Sequence, residues 1–384
     1  MQIITHQEEL ESITENLSNV SRIAADLEFD KNYYRYGFNL CLVQLFDGEN
    51  CYLIDPLSDD LNIKSIFPVL EDPEIEIITF AFGEDLRLLH SLGCFPKNIY
   101  DIDIATSLLN YEPGSLTKLL DEAIDVDTGK SSQTSNWFQR PLTDQQKKYA
   151  AHDVLHLFDL KDKLDREVKE KGIENWLAGE KKSWEEDDFS DISNNQIIRE
   201  KDKNDLSEVE WHIFKALMEY WDEKAQEINR PLFKVIKKDL LQQIAAKPRT
   251  LGRWHRTRGI HRKFKSDEIK EELQDLIRNA KAEALEIGLS ESEPAYKPLP
   301  QDKKQEIRQH KQLVSRAKDE FFNPIKKAIE DDFGKETATF LFSNRIIDEI
   351  VSNRGSNLEG YKKEILKNYS DQLNLKPDPY IDNI

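Results

Sequence analysis

The hydrophobic pattern changes period along the chain, and the change divides it. Between residues 22 and 55, apolar positions come in short runs or alternate with polar ones: "RIAADLEF", "LCLVQLF" and "NCYLIDP". Runs of that length read as three strands, and "FDGEN" is a hairpin turn between the last two. Strands joined so closely predict an antiparallel start to a sheet. "HQEELESITENL" ahead of them reads as a polar helix. "IEIITFAF" is a fourth strand, followed by "GEDLRLLHSLG", a helix ended by Gly93. "IYDIDIATSLLN" predicts a short strand feeding a helix, and "SLTKLLDEAI" a helix with Ser115 as its cap. "PLTDQQKKYAAHDVLHLFDLKDKLDREVKEKG" reads as one long helix capped at Thr143.

Beyond residue 177 the strand period disappears. Residues 178–205, including "AGEKKSWEEDDFSDISNN", are polar and acidic and read as a linker. Residues 206–289 carry apolar positions three and four apart in "EVEWHIFKALMEYWDEKAQEI", "RPLFKVIKKDLLQQIAAKP" and "KSDEIKEELQDLIRNAKAEALEIG", which predict three helices. A proline-bearing linker at 290–301 leads to a second helical unit at 302–374, and 375–384 read as an irregular tail. The expected class is an α/β domain with a mixed sheet over 1–177, followed by one or two all-helical domains.

Composition adjusts this picture in two places. The 18 Phe and 12 Tyr argue against wholesale disorder despite 33% charged residues. The net charge of -19 speaks against nonspecific polyanion binding by the whole surface, but not against a local basic strip. One exists: Lys237 to Lys265 holds ten Lys or Arg and a single acid, Asp239. Such a strip can touch several phosphates, with Lys237, Lys238, Arg253, Trp254, Arg256, Arg258, Arg262 and Lys263 as candidate contacts. It could equally meet an acidic protein surface, and Trp254 could be an anchor between helices. Three cysteines without CxxC spacing suggest a reducing compartment. No run approaches eighteen apolar residues, so the expectation is a cytoplasmic monomer without membrane contact.

The candidate chemistry lies in the α/β part. In "IAADLEFDKNYYRY", Asp26 and Glu28 are two apart on a strand and share a face. Two like charges there either reach solvent or hold something positive between them, such as a hard divalent cation. Asp85 falls in the first turn of the helix after the fourth strand, where free N–H groups favour a carboxylate and where open α/β sheets place ligands. Tyr149 and Asp153 are four apart on a helix and share a face. Four carboxylates converging from these elements could bind a metal pair, and two ions about 4 Å apart clamp the attacking and leaving oxygens of a phosphodiester. A tyrosine beside them could orient water, although at an ordinary pKa near 10 it is no strong base. Phe29, Tyr33 and the neighbouring tyrosines could stack on a base. Gln44 on the next strand could touch a nucleotide edge, and Lys130 and Arg140 could meet phosphates.

These residues carry a family resemblance. Residues 1–165 resemble the ribonuclease D family of DEDD 3′–5′ exonucleases, in the variant with a catalytic tyrosine. The motifs are "DLEF", "GEDLRLL" and "YAAHDV", with "QLFDGENCYLIDPL" and "RPLT" in the expected places. The resemblance implies a ribonuclease H-like fold. It implies metal ligation by Asp26, Glu28, Asp85 and Asp153 with two Mg2+ or Mn2+ ions, and water orientation by Tyr149. It also implies release of nucleoside 5′-monophosphates from an RNA with a free 3′ end, such as a tRNA precursor. DNA is the alternative substrate, and a non-catalytic nucleic-acid-binding protein or a helical interaction scaffold are the rival classes. Four positions depart from the family: Leu27 for a common Thr, Phe80 for a frequent His, Ile102 for the Thr of a frequent "DT", and Asn136 for Asp. The helical part resembles the helicase and RNase D C-terminal (HRDC) domain, through Pro231, "LLQQIA", Pro248 and Gly259–Ile260, with a divergent second copy over 302–374.

Overall fold

The computed structural model describes residues 1–126, 135–187, 189, 198–356, 358, 360–377 and 380–382. Lys130 lies outside them. The strands are β1 (Gln2–Ile4), β2 (Arg22–Lys31), β3 (Phe38–Phe46), β4 (Cys51–Ile54), β5 (Glu76–Thr79) and β6 (Ile99–Asp101). They form one sheet in the order β1-β4-β3-β2-β5-β6. β3 and β4 pair antiparallel, as the hairpin turn predicts. β1 is parallel to β4, and β5 is parallel to both β2 and β6. The sheet is therefore mixed, and β2 lies inside it.

Helices flank the sheet: α1 (Gln7–Leu17), α2 (Gly83–Leu92), α3 (Ile102–Leu108), α4 (Leu116–Ile124), α5 (Asp144–Leu155), α6 (Leu157–Lys171) and α7 (Glu174–Glu186). Their ends follow local chemistry. Gly93 closes α2 at φ 83°, in the left-handed region a glycine enters without strain. Ser115 caps α4 by accepting the Lys118 N–H, and Thr143 caps α5 in a reciprocal box with Gln146. Two expectations are corrected. The long helix after Thr143 breaks at His156 (φ -109°, ψ 1°), so α5 and α6 can take different directions. The acid-rich stretch after residue 177 begins as helix: α7 continues to Glu186, because Trp176, Leu177 and Glu180 are buried along one side.

Contacts divide the chain into two compact units. The first comprises Met1–Glu28, Leu40–Asp191 and Gln301–Ile384. Its core runs without interruption from Ala24, Leu42 and Leu53 through Val154 and Leu164 to Phe322, Ile325, Leu341 and Leu366. The helices after residue 300 thus pack into the same core as the α/β part. Close approach at glycine seals this joint: a Cβ on Gly179 would stand 2.3 Å from the Tyr361 ring. Beside it, Glu180 accepts the Tyr361 hydroxyl and the Lys362 ammonium, the latter at 2.7 Å. Cys41, Cys51 and Cys94 are all buried.

The second unit comprises Phe29–Asn39 and Ile192–Pro300. It is built on α8 (Glu208–Glu227), α9 (Lys238–Ala246) and α10 (Asp267–Glu286). The helix expected over 230–248 is interrupted: a single turn, Leu232–Val235, gives way to extended Ile236 (φ -149°, ψ 145°), which bridges Ile260 before α9 begins. Trp221, Trp254 and Phe264 form the centre of this unit's core.

Candidate active site

The alternation of β2 puts Leu27 into the core, 5% exposed, and leaves Asp26 and Glu28 on the other face. Asp153 reaches the same place from α5, whose Ala150, Ala151 and Val154 anchor the opposite side of that helix. One carboxylate oxygen from each of Asp26, Glu28 and Asp153 lies within 4.8 Å of the others. This cluster could hold a divalent metal ion. Asp85 stands in the first turn of α2 and is buried. The nearby backbone N–H groups of Leu27 and of Asp85 itself draw its pKa down against burial, which places it beside the Asp26–Glu28 strand. Its Oδ1 is buried with no hydrogen-bond partner. An orphaned buried carboxylate oxygen is costly unless a proton or cation meets it.

Electrostatics argue the same way. Burial first, and then the Asp85, Asp153 and Glu28 charges, hold the Asp26 carboxyl well above the usual carboxylate range. Burial, followed by Asp153 and Asp85, does this to Glu28. Burial raises Asp153 to about 7, although a hydrogen bond with Tyr149 pulls the other way. Asp85 is also pushed up, mainly by burial. Four acids that resist ionising together are short of positive charge, and hard oxygen ligands match magnesium or manganese. The donor set fits such ions.

Several supporting residues carry no signal in a single sequence. Asp101, at the end of β6, is 2% exposed. Its carboxylate accepts N–H groups from Ala81 at 2.9 Å, Phe82 at 2.8 Å and Asp103 at 2.8 Å. Ala81 is held at φ 54°, a conformation L residues avoid, and Phe82 is the residue from which α2 starts. Asp101 thereby fixes the turn that delivers Asp85. Burial lifts its pKa to about 6 against the pull of the three N–H groups. Phe80 and Ile102, two of the departures from the family pattern, are packing positions: Phe80 lies against the core and Ile102 is fully buried. Asn136 sits beneath α5, where its carbonyl oxygen accepts Gln146 Nε2.

The expected nucleic-acid contacts sort unevenly. Gln44 is fully buried and donates to Asp26 Oδ2 at 3.2 Å, so it orients a carboxylate instead of meeting a nucleotide edge. Arg140 is also internal. Its guanidinium pairs with Asp55 and donates to the carbonyls of Cys41, Trp137 and Gln139. That set uses its fork on the protein and leaves little for a phosphate. Trp254 is 1% exposed, with its indole N–H on the Phe264 carbonyl at 2.9 Å, so it is an interior anchor and no base can stack on it. Phe29 is half-buried, edge-on to Phe38 at 5.2 Å. Tyr33 is 58% exposed. Lys237, Arg253, Arg256, Arg258, Arg262 and Lys263 are exposed, whereas Lys238 pairs with Asp202.

Comparison with known proteins agrees with this geometry. The family model described as 3′–5′ exonuclease matches residues 1–169. A ribonuclease D of Zymomonas mobilis is 28% identical over 285 residues, covering 73% of each chain. The crystal structure of Escherichia coli RNase D, titled an exoribonuclease involved in structured RNA processing, superposes with a TM-score of 0.63 at 25% identity. That match covers 97% of this chain and 98% of the other. A Bifidobacterium adolescentis protein shares the fold with a TM-score of 0.72 at 19% identity, over 97% and 96% of the two chains. The mixed α/β sheet followed by a largely helical region matches the fold of a ribonuclease H-like exonuclease domain with HRDC-like helices. The chain is thus similar to ribonuclease D proteins, and its first 169 residues match a 3′–5′ exonuclease family model. Among the described residues, no helix is long and apolar enough to cross a membrane.

Proposed function

We propose that this chain is a metal-dependent 3′–5′ exoribonuclease that removes nucleoside 5′-monophosphates one at a time from RNA 3′ ends, with a tRNA precursor tail as the substrate. The observation that carries this reading is the desolvated cluster of Asp26, Glu28 and Asp153, with the unpartnered Asp85 Oδ1 beside the same strand. Asp26, Glu28, Asp85 and Asp153 would hold two divalent ions, magnesium or manganese. Bound there, such ions stabilise charge on the attacking and leaving oxygens of a phosphodiester. The chain's own residues do the rest. Gln44 holds the Asp26 carboxylate in its rotamer. Asp101 holds the turn before Asp85. Tyr149, hydrogen-bonded to Asp153 across one helical turn, directs its hydroxyl to a water and aligns it with the phosphorus. Water adds to phosphorus as it gives up a proton to solvent, the bond to the 3′ oxygen breaks, and that oxygen takes up a proton, leaving a shortened RNA with a 3′-hydroxyl and a nucleoside 5′-monophosphate. All five residues come from one chain, so one copy suffices to form the site.

The test is digestion of a 5′-labelled tRNA with a 3′ tail beside a matched single-stranded DNA, in magnesium, manganese or EDTA. A metal-dependent ladder shortening from the 3′ end of the RNA is expected. Faster shortening of the DNA would reassign the substrate. No shortening of either by folded, metal-supplemented protein would leave a binding module on an exonuclease scaffold.

A further inference from the structure

Outside the carboxylate site, one surface feature of the second unit is built for a ligand. Large rings seldom stand in water in adjacent pairs, yet Tyr33 is 58% and Phe233 57% exposed. Their ring centres are 6.3 Å apart. The Lys234 ammonium lies 4.5 Å from the centre of the Tyr33 ring, 5.2 Å from Tyr34 and 5.7 Å from Phe233. Both halves are held out by their surroundings. Leu232 and Val235 are buried in the single turn that carries Phe233 and Lys234, which forces those two side chains outward. The loop bearing Tyr33 is a closed clip. The buried Asp30 carboxylate accepts N–H groups of Tyr33, Tyr34 and Arg35, and the Asn32 N–H meets the Gly37 carbonyl at 2.7 Å. Tyr36 ties the loop to α8, donating its hydroxyl to Asp222 at 2.6 Å and its N–H to Asn229.

The charge around this pair selects the occupant. Lys is depleted at protein–protein interfaces, whereas a cation among exposed rings suits a phosphate next to a stacked base. The turn also leads directly into the basic strip. Ile236 bridges Ile260 and the Lys237 N–H meets the Gly259 carbonyl, so Lys237 joins Arg258 and Arg262 as exposed cations beside the platform. A duplex hides its base faces, so the fitting ligand is single-stranded.

We propose that Tyr33 and Phe233, with Lys234 between them, form a stacking platform for single-stranded RNA that continues the basic strip of the same unit. The proposal deepens the exoribonuclease reading and rests on it. Tyr33 follows Glu28 by only five residues, so the platform and the first metal motif are consecutive in sequence. The platform takes any base, because stacking uses the π face and not the hydrogen-bonding edge.

The test uses the full chain in EDTA, a 12-nucleotide single-stranded RNA carrying 2-aminopurine, and the variants Y33A/F233A, Y33W/F233W and K234A. Y33A/F233A is expected to raise the Kd about tenfold or more and to relieve quenching of the fluorescent base. The slope of log Kd against log salt stays unchanged in that variant, whereas K234A lowers it by about one. Y33W/F233W restores both affinity and quenching. An unchanged Kd in Y33A/F233A overturns the platform, as does an equal loss in the alanine and tryptophan pairs. Metal-dependent shortening of the same oligonucleotide by the unmodified chain separates the two readings. If it cuts while the variants bind normally, only the platform fails; if it neither binds nor cuts RNA, both fail.

Discussion

The two units solve opposite electrostatic problems. In the first, carboxylates from a strand and two helices are drawn together and stripped of water, until burial, and for Asp26 and Glu28 the neighbouring charges as well, makes them hard to ionise. In the second, ten cations between Lys237 and Lys265 are spread over the surface, most of them exposed and solvated. The first arrangement is unfavourable unless something positive arrives, which is how a protein reserves a place for metal. The second costs little by itself and yields its free energy only when a polyanion releases its counterions. Concentrated, buried charge is suited to chemistry at one phosphorus. Dispersed, exposed charge is suited to holding a strand of any sequence. The net -19 conceals both, because it sums over two units with opposite charge arrangements.

That contrast can be broken, starting with the largest effect. D153N or D26N should lower kcat by about 10³-fold or more while RNA binding in EDTA stays within about twofold of the unmodified chain. Y149F should lose about 10²-fold in kcat with an unchanged magnesium requirement. An equal fall in kcat and in RNA affinity for D153N would show that site and basic strip are not separable.

Next comes the scaffold behind the metal site. D101N replaces a carboxylate that accepts three N–H groups with an amide that must turn an NH2 towards at least one of them. The half-saturating magnesium concentration should rise about 10- to 100-fold, the range typical of residues that orient ligands. Manganese binding measured by calorimetry without RNA should weaken in parallel; undiminished binding would reduce Asp101 to a fold residue.

On the other unit, R258A/R262A should leave kcat on a saturating substrate intact and flatten the salt dependence of RNA binding by about two units of slope. An unaltered slope would remove these arginines from the RNA-binding strip.

The smallest effect concerns pH. Without metal, Asp153 titrates at about 7 in the folded chain against an ordinary value of 3.8. Between those values the folded state binds more protons than the unfolded one, so stability falls as pH rises through the window. In EDTA the Tm should drop between pH 5 and 8, by about 1–2 °C for each kcal/mol of linkage in a chain of this length. Magnesium should abolish the drop by favouring the ionised site, and D153N should shrink it. A Tm that rises over this range in EDTA would contradict the desolvated cluster.

What could be read along the chain was local. The i, i+2 spacing of Asp26 and Glu28, the i, i+4 spacing of Tyr149 and Asp153, and the caps at Ser115 and Thr143 follow from strand pleat, helix pitch and free N–H groups, which need only a few neighbouring residues. The basic strip was legible for the same reason, since it is contiguous. Breaks inside helical patterns were not. His156 and Ile236 carry ordinary side chains, and it is packing and a bridge to Ile260 that interrupt the helices there. Nor did the pattern show that Trp254, Gln44 and Arg140 point inward, because a ring, an amide or a guanidinium among polar neighbours looks the same whether it faces a nucleotide or a partner distant in sequence.

The sequence by itself therefore determined the order of elements and the carriers of charge. Tertiary structure decided the rest: that Asp26, Glu28 and Asp153 share one desolvated site with Asp85 held nearby, and that the helices after residue 300 complete the exonuclease core. It also decided that residues 29–39, the adjoining ends of β2 and β3 with the loop between them, group with the middle helices in one compact unit. Periodicity reports which face a residue occupies. What that face meets is set by contacts between segments up to 200 and more residues apart, as between Asn110 and Glu336. Those contacts exist only after the chain has packed, and no local spacing encodes them.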